Sequence, residues 1–242
     1  HINHMLRGEE SDRDEAFVIK LCKEKGIPLE VKKIDVLALA EKTGESIELA
    51  ARDARYKAFS EIDFGLVATA HTADDNLETV IYNMTRGSGL KGVCGIPPVR
   101  ESFVRPLIFC TRKEIEDYLA LKNASFVTDS SNLSDDYTRN FIRHNVVPLL
   151  KEINPSVQST VATMTASLRE DEEFLTSSAK KVYALVLRDG FLDAALLKIQ
   201  PPSVIKRVIA FFLEEEYGLK TDALHLENCK KILLNGGKTS MN

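Results

Sequence analysis

The chain has 242 residues, 44% hydrophobic and 28% charged, with a net charge of −4, which argues against disorder, collagen-like repetition and a surface coated in positive charge for nucleic acid. Its four cysteines, Cys22, Cys94, Cys110 and Cys229, form no C-x-x-C pair and have no histidine at ligand spacing, so zinc and iron–sulfur sites are not expected and a reducing cytoplasm suits them. No apolar run approaches the roughly 20 residues of a membrane span, and any contact with nucleic acid has to come from a local basic patch.

The first residues, "HINHMLRG", have Met5 inside them and neither the charged n-region nor the apolar h-region of a signal peptide. They read as a protein missing its beginning. "SDRDEAFVIKLCKEKG" (11 to 26) follows as an amphipathic helix, with acids in its first turn and Gly26 at the C′ position. "LEVKKIDV" (29 to 36) alternates as a strand does. "SIELAARDARYKAFSEI" (46 to 62) is again helical, with Ile47, Ala50, Ala51, Ala54 and Ala58 forming a narrow stripe for close packing. "FGLVATA" is a strand, and "ADDNLETVIYNM" a helix that turns Leu77, Val80, Ile81 and Met84 inward.

Alternation of strand and helix with short connections predicts an α/β fold, a parallel sheet covered by helices on both faces. Ligands of such sheets sit at the carboxyl ends of strands, and His71 lies at one. Farther on, "TRKEIEDYLALKN" (111 to 123) opens with a capping box, Thr111 and Glu114. "DYTRNFIRHNVVPLL" (136 to 150) keeps helical periodicity until Pro148. Beyond "NPS" (154 to 156) long helices without clear strands are expected, which places a domain boundary near 150 to 155: residues 1–152, then a smaller helical domain, 153–242.

Two motifs mislead. "GSGLKG" (87 to 92) fits G-x-G-x-x-G, but a helix precedes it where the dinucleotide fingerprint requires a strand, so a loop tracking close to ligand or backbone is expected. "GGKTS" (236 to 240) resembles the end of a Walker A loop, yet Ile232 stands where its first glycine belongs, and a turn is the better reading.

The chemistry concentrates after "FGLVATA". Asp74, Asp75 and Glu78 are spaced to lie near one helix face beside His71. Acids in a first turn complement the helix dipole, which accounts for one or two of them. Three carboxylates with a histidine need an offsetting cation: Mg²⁺, a substrate ammonium, or a proton in transfer. Arg52 and Arg55 either pair along their own helix, as Glu48 and Arg52 are spaced to do, or clamp phosphate. Arg139 and Arg143, four apart on one helix face and expected to be unneutralised, are candidates for phosphate contact. Asp129 and Asn132 before them fit turn or cap contacts.

Taken together, "HINHMLRGEESDRDEAFV", "SIELAARDARYKAF", "ATAHTADDNLETVIYNMTRGSGLKGVCGIPP", "VRPL" and "DSSNLSDDYTRNFIRHNVVPLL" resemble the tRNA(Ile)-lysidine synthetases of the N-type ATP pyrophosphatase (PP-loop) superfamily, in order from residue 1 to about 155. From "PPSVIKRVIAFFLEEEYG" to "LHLENCKKILLNGGKTS" the chain is similar, less specifically, to the helical domain that follows in that family. The resemblance implies a Rossmann-like domain and a ligase that uses ATP and Mg²⁺. ATP adenylates O2 of the wobble cytidine of tRNA(Ile) with a CAU anticodon; the amine of free L-lysine then attacks C2 and expels AMP. Asp75 and Glu78 match the positions around cytidine and amine, with His71 and Asp74 in the same motif. Arg52, Arg55, Arg139 and Arg143 would hold phosphate or tRNA, and His4 and Arg7 border the nucleotide. A homodimer is compatible with this reading.

The chain departs from that family in one respect: no S-G-G-x-D-S loop precedes "H-x-N-H". Without such a cradle of backbone N–H groups, weak ATP binding and inactivity of the chain as it stands are expected, a micromolar affinity by calorimetry being the contrary result. Its end likewise reads as cut within a hairpin. Two alternatives stay open, a tRNA cytidine thiolase, against which the missing C-x-x-C counts, and a non-catalytic tRNA-binding fragment.

Overall fold

The computed structural model describes residues 1–61, 65–128, 138–219 and 221–235. They fall into two compact units. The first comprises His1–Thr69, Val99–Val104 and the described residues from Glu116 to 128; the second comprises Ala70–Pro98, Arg105–Ile115 and the described residues from Thr138 onward.

In the first unit β1 (Ile2–Asn3) runs parallel to β2 (Lys32–Lys33), Ile2 facing Lys32. The helix α1 (Glu9–Lys25) makes the crossover that a parallel pair needs. Glu9, Glu10 and Asp12 lie in its first turn and Lys23 and Lys25 in its last, and Gly26 closes it at φ 64°. The buried side chain of Asn3 ties the strand end to this helix, its Nδ2 donating to Glu15 Oε2 at 2.8 Å while its Oδ1 accepts the Met5 N–H at 2.9 Å.

The helices α2 (Val36–Thr43), capped by Asp35, and α3 (Ile47–Ser60), capped by Ser46, pack through Val36, Ala40 and Ala50. The small-residue stripe is buried at Ala50, Ala54 and Ala58. β3 (Val67–Ala68) runs parallel to β5 (Phe103–Val104), and β4 (Val99–Arg100) pairs with β5 antiparallel. Tyr56 and Phe59 of α3 cover Phe103, with ring centroids 4.9 and 6.2 Å away. The architecture is α/β with parallel pairs, distributed among the described residues over small sheets with ladders two residues long.

The second unit contains α4 (Ala73–Thr85), α5 (Leu90–Val93) and the start of α6 (Arg112–Leu121), which opens on the expected Thr111–Glu114 capping box. The segment expected to be one helix up to Pro148 is instead α7 (Thr138–Phe141), a π-helical turn (Ile142–Val146) and α8 (Val147–Ile153). Pro148 lies in the first turn of α8, where a missing N–H costs nothing. α9 (Val157–Val186) is followed by a hairpin of β6 (Leu187–Arg188) and β7 (Phe191–Leu192), then α10 (Ala194–Lys198), α11 (Pro202–Tyr217) and α12 (Ala223–Asn235). The hairpin corrects the expectation of helices without strands; Asp189 and Gly190, at φ 49° and 79°, make its turn.

Two apolar clusters hold this unit. Leu77, Ile142 and Val147 form one, with Val157 and Val161 against it. Ala179, Tyr183, Val186, Leu197, Val204, Ile205, Val208, Ile209 and Leu213 form the other. α9 contributes to both, so this unit draws on residues from either side of the boundary expected near 150 to 155.

Candidate active site

α4 is fixed at its head by a reciprocal cap. Asp75 Oδ2 accepts the backbone N–H of Thr72 at 2.8 Å and its hydroxyl at 2.9 Å, and the Thr72 hydroxyl oxygen accepts the Asp75 N–H. His71 stands half-buried immediately before that cap. The inward face is apolar at Leu77 and Val80, but Glu78 is buried as well, at 1% exposure.

A carboxylate so far from water needs charged partners. Arg143 supplies a fork: its Nε lies 2.6 Å from Glu78 Oε1 and its Nη2 3.0 Å from Glu78 Oε2. Arg139 Nη2 donates to the Asp75 carbonyl at 3.2 Å and to Asp75 Oδ1 at 3.3 Å. Its Nε lies 3.3 Å from Glu78 Oε2, an ion pair by distance without the alignment of a hydrogen bond, which leaves that nitrogen buried and unpartnered. Donating hydrogen bonds to Glu78 raises Arg143 above the usual guanidinium range against the opposing effect of burial, and the charges of Glu78, Asp75 and Asp74 add to it. The expectation that the two arginines are unneutralised is therefore corrected: their acids come from α4, 64 and 65 residues away in sequence.

Asp74 faces elsewhere. Its Oδ2 accepts the Arg112 N–H at the start of α6 at 2.7 Å, and its Oδ1 accepts Gln158 Nε2 of α9 at 3.0 Å. Asp74, Asp75 and Glu78 against Arg139 and Arg143 leave one negative charge in excess among these five side chains. The chemical capacity of the group is to attract a cation at Asp75, the more exposed acid, while fixing guanidinium charge beside it. Among the described residues no group of three or more His, Cys, Asp and Glu converges for a metal ion.

Sequence reasoning missed the supports. Buried Asn76, next to Asp75, donates to Thr165 Oγ1 at 3.0 Å and accepts the Ile96 N–H at 2.8 Å. Arg169 Nη2 donates to the carbonyls of Cys94 (2.9 Å) and Ile96 (3.2 Å), and Arg105 Nη1 to that of Pro97 (2.8 Å). Gly95 has φ 66°, and a Cβ there would meet Asn76 Oδ1 at 2.2 Å. Of the "GSGLKG" glycines, Gly87 and Gly89 lie between α4 and α5 and Gly92 lies within α5, its carbonyl accepting Asn83 Nδ2 at 2.7 Å.

The remaining candidates belong to the first unit. Arg7 pairs with Asp14 at 3.0 Å and Glu10 at 3.3 Å. Arg52 stacks on Tyr56 with its guanidinium carbon 4.9 Å from the ring centre. Arg55 is exposed. His4 has its Nδ1 buried without a hydrogen-bond partner, and burial first, then the charge of Arg55, keeps its imidazole below the ordinary pKa. Asp129, Asn132 and "GGKTS" lie outside the described residues.

A parallel-paired α/β unit and a buried acid–arginine centre at a helix head meet a match over residues 1–150 to the PP-loop domain family, and the chain belongs to that family. At finer grain the chain is similar to the tRNA(Ile)-lysidine synthases. It is 41% identical to that of Parabacteroides distasonis over 225 residues, 90% of this chain and 50% of the relative. It is 37% identical to that of Porphyromonas gingivalis over 229 residues (93% and 50%), and 47% to that of Bacteroides thetaiotaomicron over 165 (66% and 39%). The chain thus spans about half the length of the curated relatives it matches. No described helix is long and apolar enough to cross a membrane.

Proposed function

We propose that the chain carries the reactive centre of a cytoplasmic, ATP-dependent ligase that attaches L-lysine to the wobble cytidine of tRNA(Ile). Residues 1–152 form its PP-loop domain, built on a parallel sheet larger than the described pairs, and 153–242 a helical domain for tRNA. The observation that supports this reading best is the junction of Glu78, Asp75, Arg139 and Arg143 from two distant segments. An ion cluster this buried is weak support for stability, and it fits a task at the carboxyl edge of a strand, beside a π-turn of the kind frequent at functional sites.

In the first step O2 of the cytidine attacks the α-phosphorus of ATP and pyrophosphate leaves. Arg143, its Nε–Nη2 edge held by Glu78, presents a fixed positive charge to phosphate oxygens. In the second, the lysine nitrogen forms a bond to C2, the C2–O2 bond breaks, and AMP departs with that oxygen. Asp75 draws in the ammonium, and the proton lost before attack passes to a carboxylate or His71. His4 and Arg7 border the nucleotide in this reading, and Arg52 and Arg55 contact phosphate. Mg²⁺ would be held chiefly by the triphosphate and would offset its charge, as Mg²⁺ is commonly bound by substrate phosphates and water with few protein ligands. A homodimer is compatible with the scheme.

The deciding assay is lysine-dependent release of pyrophosphate on tRNA(Ile) by the protein carrying this chain. Asp75→Asn is expected to lower turnover by about a hundredfold or more, within the range of lost acid–base catalysis. Dependence on a sulfur donor instead of lysine would identify a thiolase, and tRNA binding without turnover a scaffold.

A further inference from the structure

Asp74 shares a sequence motif with Asp75 and Glu78, but both of its oxygens are engaged away from the arginines. Oδ2 takes the Arg112 N–H at 2.7 Å, and Oδ1 the side-chain amide of Gln158 at 3.0 Å. Gln158 is 5% exposed and stands near the start of α9, where a polar amide has little reason to be buried unless it serves another group. The same helix meets α4 again at Thr165, which receives the Asn76 amide. Asp74 and Asn76, which flank Asp75 in the first turn of α4, are therefore both fastened to α9.

We propose that Gln158 is a positioning residue of the reactive centre. It acts through Asp74, whose carboxylate is a tie between α4, α6 and α9 and not a group that meets substrate. The inference rests on the reading of Asp75 and Glu78 as the reactive pair, and it moves Asp74 out of the set that performs chemistry.

The polarity of the Asp74–Gln158 hydrogen bond makes a test by exchange. Asp74→Asn keeps the tie, because the new amide oxygen accepts the Arg112 N–H and its NH₂ faces a Gln158 amide that can turn its oxygen inward. Gln158→Glu sets two carboxylates against each other in a buried place. Asp74→Asn with Gln158→Glu restores one donor and one acceptor in reversed order. Turnover and KM for lysine are to be measured for all three, with Asp75→Asn beside them and melting temperatures to follow folding.

The expected pattern is that Asp74→Asn stays within about threefold of the parent. Gln158→Glu loses about tenfold to a hundredfold in kcat/KM for lysine, the size of one buried hydrogen bond to a charged group, with KM for ATP unmoved. The double variant returns to within about threefold. If Gln158→Glu fails to fold, the retained activity of Asp74→Asn and of the folded double variant carry the test. Loss in Asp74→Asn as deep as in Asp75→Asn, or a folded double variant that stays inactive, overturns the proposal. Full turnover in Asp75→Asn would instead overturn the reading of the centre itself.

Discussion

Glu78 loses nearly all contact with water, and its two arginines replace that hydration. Breaking such a pair from one side leaves an unmatched charge, which in buried pairs costs about 3–5 kcal/mol. Arg143 keeps 27% side-chain exposure, so water recovers part of that loss. Glu78→Gln, which preserves volume, is therefore expected to lower stability by about 2–3 kcal/mol and to lower turnover. Urea unfolding and the pyrophosphate assay measure the two effects. At this scale the sequence was informative where spacing is local: Asp75 and Glu78, three apart, declare a shared face. It was silent where a partner is remote. Nothing near Arg143 announces Glu78, and nothing near Gln158 announces an acid 84 positions earlier.

The helices α1, α3, α4 and α6 were readable from apolar spacing or end signals, such as Gly26 after α1 and the Thr111–Glu114 box before α6. α2 escaped notice because eight residues give only two turns of periodicity, and the strand pattern of 29 to 36 runs into it. The π-turn had no local signal, and the Asp189–Gly190 pair was a hairpin signal passed over. The loop after α5 shows what glycine means where backbone and space both demand it. Gly95→Ala has to relieve a positive φ and a 2.2 Å approach to Asn76 Oδ1 together, and Asn76 is itself bound to Ile96 and Thr165. A loss of about 2–4 kcal/mol is expected, read as a lower urea midpoint at unchanged slope. A neutral substitution would mean that the loop moves aside without cost.

On the scale of the whole molecule, the split into two compact units could not be read from composition, because the second gathers segments on both sides of a change in sequence character. Its long member, α9, has 30 residues and a length of about 45 Å. One end carries Gln158 and Thr165 against α4; the other is set among Ile205, Val208 and Leu213. Ile205→Ala, a deletion from a fully enclosed position costing about 2–5 kcal/mol, is expected to speed amide hydrogen exchange in α4 as well as in α11. Exchange confined to α11 would show that the two clusters open separately. A beam anchored at both ends delivers damage to the end that was not struck, so substitutions far from any nucleotide or amino acid can weaken catalysis while every reacting group keeps its identity.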